Sequence, residues 1–291
     1  MKKLLITILL TGIGFGKINV VTSITDLADI AKTIGGKRVK VTSIARGNQD
    51  PHYVEVLPSY MMKVKRADIY LQVGMELDLW AQQIIDGSRN RKLQIVDCSQ
   101  RINRMEVPTN KVDARLGDIH KYGNPHYWLD PENGKIIART IAAALISTDP
   151  AGRNMYESNL AQFLQEVDFA MNLWRETYAE LKGMNMFFYH NSWPYFTERF
   201  GLNVVAHLEP KPGITPSPAH LERLLRIIRN DDITLIAMEP YFSNQAPEYL
   251  HQKTGIKIVK LAQSVGAVKE ADSYLNMFRY NLEVLKSHLN K

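Results

Sequence analysis

The 291-residue chain holds one cysteine, Cys98. A single cysteine closes no intramolecular disulfide and builds no thiolate metal cage, so an ordinary core must carry stability. Cys98 ends the strand-like stretch Ile95-Val96-Asp97-Cys98 and reads as a small buried hydrophobe. There is no low-complexity tract, and no His-Glu-x-x-His helix of the metalloprotease type. The longest apolar run, residues 4–15, is too short to span a bilayer. Positive charge is in mild excess, at a net +6, but it is scattered. Its densest cluster, Lys63-Val64-Lys65-Arg66, lies at the end of a predicted helix, and aromatics do not interleave with the basic residues, which argues against a nucleic-acid surface.

What is present begins with an export signal. Lys2 and Lys3 precede the apolar run, and Gly14-Phe15-Gly16 supplies the small residues a signal peptidase reads, which puts cleavage after Gly16. No cysteine stands near that point, which excludes a lipid anchor on a lipobox cysteine. From Lys17 onward, short apolar runs alternate with helical stretches. Strands are expected at 18–22, 39–44, 69–73 and 93–96, with helices at 26–34, 58–66 and 77–85 between them. That order is the signature of a parallel sheet with helical crossovers. Asp130-Pro131 opens a helix over 131–146, and residues 106–124, without period, read as a loop over a cleft mouth.

Residues 153–182 contain no Gly or Pro and repeat apolar side chains at helical spacing, predicting a helix of about 30 residues and roughly 45 Å. Alternation then restarts: strands at 186–189, 203–207, 233–238 and 257–261, helices at 193–200, 219–229, 245–254 and 273–288. The fold class is therefore α/β, with two lobes of mainly parallel sheet joined by one long spine helix. The expected divisions are 1–16 for the signal peptide, 17–150 for the first lobe, 151–182 for the linking helix and 183–291 for the second lobe.

Three histidines stand in turns beside predicted strands or helix starts: Asp50-Pro51-His52-Tyr53, Asn124-Pro125-His126-Tyr127 and Tyr189-His190-Asn191. A fourth segment ends an apolar strand on Glu239. Neutral imidazoles plus a carboxylate suit a borderline divalent cation such as zinc. The histidines are 74 and 64 residues apart, so only the fold can assemble them, as open α/β sheets do at their strand ends. Each has an ordinary alternative: a loop histidine, a helix cap at Asn191-Ser192, or a lysine or helix N-terminus as the partner of Glu239. His120 sits in the cleft loop; His220, His251 and His288 read as solvated.

These blocks, with Glu239-Pro240-Tyr241-Phe242-Ser243 and the stretch Ser273 to Asn281, resemble the cluster-9 periplasmic metal-binding proteins, the TroA/ZnuA-like solute-binding components of ABC importers. The resemblance covers essentially all of the mature chain. It implies two lobes, a rigid long helix and one metal between the lobes, with His52, His126 and His190 as the first three ligands. Many relatives place an aspartate after the last strand; here the position reads Ala262-Gln263-Ser264. The fourth donor is then Glu239, water or Gln263, with Glu239 preferred. The long His/Asp-rich insertion of some zinc-specific relatives is missing near residue 113.

The function expected is capture of Zn(II), with Mn(II) as the alternative, by a monomeric periplasmic protein that hands the ion to a membrane permease and performs no chemistry on it. Three imidazoles and a carboxylate fit tetrahedral zinc best, whereas manganese prefers more oxygen. Two rivals follow from the same features. One is a zinc hydrolase with an open water position and Glu55 or Glu239 as base; the other is a surface adhesin on the same fold.

Overall fold

The computed structural model describes residues 17–109, 120–231, 233 and 235–289. The expected signal peptide and the region around residue 113 lie outside them. The first lobe runs β1 (Ile18–Thr22), α1 (Thr25–Gly35), β2 (Val39–Ser43), α2 (Pro58–Lys65), β3 (Ile69–Gln72), α3 (Trp80–Ser88) and β4 (Gln94–Asp97). Two helices follow, α4 (Pro131–Thr148) and α5 (Arg153–Thr177). The second lobe runs β5 (Asn185–Phe188), α6 (Pro194–Phe200), β6 (Asn203–His207), α7 (Pro218–Asn230), β7 (Leu235–Met238), α8 (Gln245–Thr254) and β8 (Lys257–Lys260), and α9 (Tyr274–Leu289) is the last element among the described residues.

Each lobe carries a four-stranded sheet, ordered β2-β1-β3-β4 and β6-β5-β7-β8, and every strand pair is parallel. The two orders are the same topology used twice. In each, chain order reverses beside the first strand, so the loops leaving β5 and β7 flank a crevice, which is where open α/β sheets bind ligands. His190 follows β5 and Glu239 follows β7. Central strands such as β7 are buried throughout, as continuous apolar runs in covered parallel sheets should be.

Two helices differ from expectation. α3 begins at Trp80 because Gly74, Met75 and Glu76 have φ of 78°, 52° and 68°, a turn no helix contains. Asp78 fixes that turn by accepting the amides of Val73 (2.8 Å) and Gly74 (3.0 Å). The spine helix spans 25 residues, about 37 Å, rather than 30. It stops at Thr177; Tyr178 leaves helical geometry, a short 3-10 turn (Ala179–Leu181) follows, and Gly183 reverses the chain at φ 81°. The apolar period persists past the break because that turn keeps Leu181 facing the core. At the other end of the first lobe Asp130 caps α4 as expected, accepting the Glu132 amide at 2.9 Å behind Pro131.

The lobes share one core. A single apolar cluster joins Leu27 and Ile34 of α1, Ile141 of α4, Phe163 of α5, Phe196 of α6 and Phe278 of α9. Polar contacts reinforce the seam. Arg199 of α6 makes two 2.7 Å bonds to Asp130, and the Tyr274 hydroxyl donates to the Trp128 carbonyl at 2.7 Å. The loop after β8 is gripped from the first lobe: Trp128 Nε1 donates to the Gln263 carbonyl (2.8 Å), and fully buried Asp26 accepts the Val265 amide (3.1 Å). Gly47 closes the seam, since a Cβ there would overlap the Val265 carbonyl oxygen and the backbone of Gly266 and Ala267. Among the described residues no helix is long and apolar enough to cross a membrane.

Two predictions test the seam. Burial raises the Asp26 carboxyl from 3.8 to about 7, against its bonds to Ser264 and Val265. A pKa higher in the folded chain than in the unfolded one means this group's contribution is fully present below about pH 4 and is lost as pH rises through 7. Asp26→Asn should flatten that slope, by on the order of 3 kcal/mol, in wild-type minus variant urea unfolding between pH 5 and 8. Gly47→Ala should lower stability by about 2 kcal/mol in the same assay, because backbone rather than a flexible side chain must move.

Candidate metal centre

The Asx-Pro-His sequence builds its own ligand mount. Asp50 Oδ1 accepts both the backbone amide (2.9 Å) and the ring Nδ1 (2.8 Å) of His52. Asn124 Oδ1 does the same for His126, at 3.1 and 2.9 Å. One oxygen, two residues earlier, thus fixes the turn and the ring together, and the intervening proline removes a competing donor. An acceptor at Nδ1 assigns the proton there and leaves Nε2 as a lone pair facing away. The Pro51 carbonyl is held in turn by Trp80 Nε1 at 2.8 Å. His190 uses a distant partner: its Nδ1 donates to Glu209 Oε2 at 2.6 Å, and that oxygen also accepts the Gly213 amide at 2.9 Å.

The fold brings the three rings together. Centroids are 5.1 Å apart for His52–His126, 5.3 Å for His52–His190 and 5.7 Å for His126–His190, with interplanar angles of 54°, 72° and 75°. Imidazoles bound through nitrogen to a tetrahedral zinc, at about 2.0–2.1 Å, would have centres roughly 5 Å apart. One ligand atom from each ring lies within 4.8 Å of the others. His52 Nε2 and His126 Nε2 are buried and have no hydrogen-bond partner. Two buried lone pairs pointing at one volume are costly unless something electropositive fills it.

The electrostatics of the rings differ with their backing. Burial, then the neighbouring imidazoles, pushes His126 well below the usual histidine range, which keeps it neutral. Burial acts the same way on His190, but the hydrogen bond and charge of Glu209, with Glu239 and Asp50 behind, override it and raise its pKa. An amide backs one ring and a carboxylate the other.

Glu239, the fourth ligand expected from the sequence, follows β7 and is not among the three residues whose ligand atoms converge. Its Oε1 is taken by Ser192 Oγ at 2.6 Å and Trp193 Nε1 at 2.9 Å, which ties the carboxylate to the turn after His190. It is fully buried, Oε2 has no hydrogen-bond partner, and burial raises its pKa to about 7 against the pull of His190. Gln263 is also buried, with its side-chain oxygen accepting from the Tyr241 hydroxyl. His120 stacks on His52 at 5.3 Å and 24°, at the outer side of the cluster but outside the group of three. His220 is buried rather than solvated: its Nε2 meets the His207 carbonyl at 3.2 Å and its Nδ1 faces Arg223 at 2.9 Å. The residue that sequence reasoning missed is Glu209. It opens a proline-rich loop 19 residues beyond His190, and no local spacing links the two.

A two-lobed scaffold with a buried three-histidine centre at its crevice is the architecture of a solute-binding protein. The family model for the zinc-uptake complex component A, periplasmic (ZnuA), matches residues 20–288, and the chain belongs to that family. The manganese ABC transporter substrate-binding lipoprotein PsaA of Streptococcus pneumoniae is 26% identical over 284 residues, covering 94% of this chain and 90% of the relative. The manganese-binding lipoprotein MntA of Halalkalibacterium halodurans is 24% identical over 280 residues, covering 94% and 89%. A crystal structure of ZnuA superposes with a TM-score of 0.80 at 25% identity, over 93% of this chain and 98% of that one. The laminin-binding adhesin Lmb of Streptococcus agalactiae, at 22% identity, 94% and 99% coverage and a TM-score of 0.80, shows the same fold. The hydrolase reading finds no support in these relatives.

Proposed function

We propose that the protein captures a divalent transition-metal ion between its lobes, Zn(II) in preference to Mn(II), and delivers it in the periplasm to the permease of an ABC importer. The observation that carries this reading is the pair of buried, unpartnered Nε2 atoms of His52 and His126 converging with His190. The three imidazoles are the protein ligands. Asp50, Asn124 and Glu209 orient them from behind. Glu239 sits buried on the turn after His190, and the fourth coordination position belongs to water. The relatives named for manganese and the family named for zinc support a shared transition-metal cargo. The donor set of this chain, nitrogen rather than oxygen, favours zinc.

Binding requires neutral rings, so affinity falls as pH drops through the imidazole range. His52→Ala, His126→Ala and His190→Ala should each weaken Zn(II) binding at least a hundredfold by competition with a chromophoric chelator; unchanged affinity in all three would overturn the site. Glu209→Ala leaves all three ligands in place and should cost about 10- to 100-fold in the same titration. Glu239→Gln should cost less than any histidine deletion, and elemental analysis of protein recovered from periplasm reports which metal it carries.

A further inference from the structure

The cleft segment that lacks any sequence period contains a residue whose placement ties two ligand loops together. Glu106 Oε2 accepts the side-chain amide of Asn124 at 3.0 Å and the side-chain amide of Asn191 at 2.8 Å. Asn124 is the residue whose oxygen mounts His126, and Asn191 is the neighbour of His190. One carboxylate oxygen therefore bridges the ligand loop of the first lobe and that of the second. The bridge has independent support beside it. The other arm of the Asn124 amide reaches the Asn191 carbonyl at 2.8 Å, and the Asn124 backbone amide donates to the Met105 carbonyl at 2.9 Å. The Tyr195 hydroxyl accepts the Met105 amide at 3.0 Å and donates to the Asn124 carbonyl at 3.1 Å. Glu106 holds φ 53°, a conformation non-glycine residues adopt rarely and keep only where the surroundings impose it. The backbone is bent where the carboxylate must reach both amides.

We propose that Glu106 is a positioning residue that clasps the His126 and His190 loops in the metal-holding arrangement, so that release of the ion requires its two hydrogen bonds to open. The proposal rests on the metal-capture reading and adds a release-controlling group outside the ligand set. Because Asn124 both mounts His126 and is held by Glu106, loss of the clasp frees the mount while leaving all three imidazoles and their Nδ1 acceptors present. The effect belongs to the off-rate more than to the fold, since Glu106 is exposed and packs into no core.

The test is stopped-flow release of Zn(II) from the full chain into excess chelator, with thermal unfolding of the metal-free protein alongside. Glu106→Ala should speed release about tenfold, in the range seen when groups behind metal ligands are removed, with an unchanged unfolding temperature. Glu106→Gln keeps an acceptor oxygen and should restore most of the wild-type rate. Asn191→Ala, which breaks one arm only, should fall between, and the double variant with Glu106→Ala should release no faster than Glu106→Ala alone. The Co(II) spectrum of the loaded Glu106→Ala protein should broaden as the His126 mount loosens. Wild-type release from Glu106→Ala, failure of glutamine to rescue, or additive effects in the double variant would each overturn the clasp. His52→Ala run in parallel separates the two readings: retained Zn(II) binding there defeats metal capture itself, whereas lost binding with unaltered release in Glu106→Ala defeats only the clasp.

Discussion

Everything at this centre depends on holding imidazole lone pairs in a buried space with no protein donor to meet them. A neutral histidine buried in a core ordinarily satisfies both nitrogens. Here Nδ1 of each ring is held, by Asp50, Asn124 and Glu209. The other nitrogen is treated differently. For His52 and His126 that nitrogen stays buried and unpartnered. Such an arrangement persists only if the surrounding fold over-determines it. Two of the three mounts are local, built into Asx-Pro-His turns at Asp50 and Asn124. The third depends on the loop after β6 returning beside the end of β5. These mounts orient rings whose centroids lie 5.1 to 5.7 Å apart.

The shared core explains how ligands from two sheets can be held to that tolerance. α9 leaves the second lobe and packs against α1 and α5, so the apolar cluster runs through both halves. Trp128 makes the linkage explicit. It follows His126 by two residues, its ring lies 5.3 Å from that imidazole, and its indole N–H holds the Gln263 carbonyl across the seam. Displacement of the loop after β8 would therefore act directly on the chain beside a ligand. Asp26 and Gly47 press on the same loop, one through a hydrogen bond and one through the absence of a side chain.

Much of this was legible in the residues. Alternation of apolar runs with helical periods placed nearly every strand and helix, because the central strands are buried apolar runs and several helices start on proline or end at glycine, as at Pro58, Pro194, Gly201 and Gly255. The Pro-His-Tyr repeats pointed to the ligands, because the chemistry that orients His52 and His126 lies within three residues of sequence. What stayed hidden is non-local. Glu209 meets a histidine 19 residues before it and Glu106 meets asparagines 18 and 85 residues after it, and neither glutamate stands in a periodic element. Glu239 was expected as a ligand because a carboxylate after an apolar strand needs a partner. Ser192 and Trp193 bind one of its oxygens, which the strand's own sequence does not reveal, and the other oxygen is buried without a hydrogen-bond partner. The end of the spine helix was missed for a related reason: a short 3-10 turn preserves the apolar stripe after the helix has stopped.

The differing electrostatics of His126 and His190 bear on how one site can both hold and release an ion. An imidazole backed by a neutral amide and crowded by other rings stays unprotonated, so its lone pair is available without competition from a proton. An imidazole backed by a carboxylate is a stronger base: it donates more electron density to a cation, yet it also takes up a proton more readily when the cation leaves. The field of a second buried carboxylate, Glu239, adds to that basicity. Nitrogen donors of this kind suit zinc better than the harder, oxygen-seeking manganese.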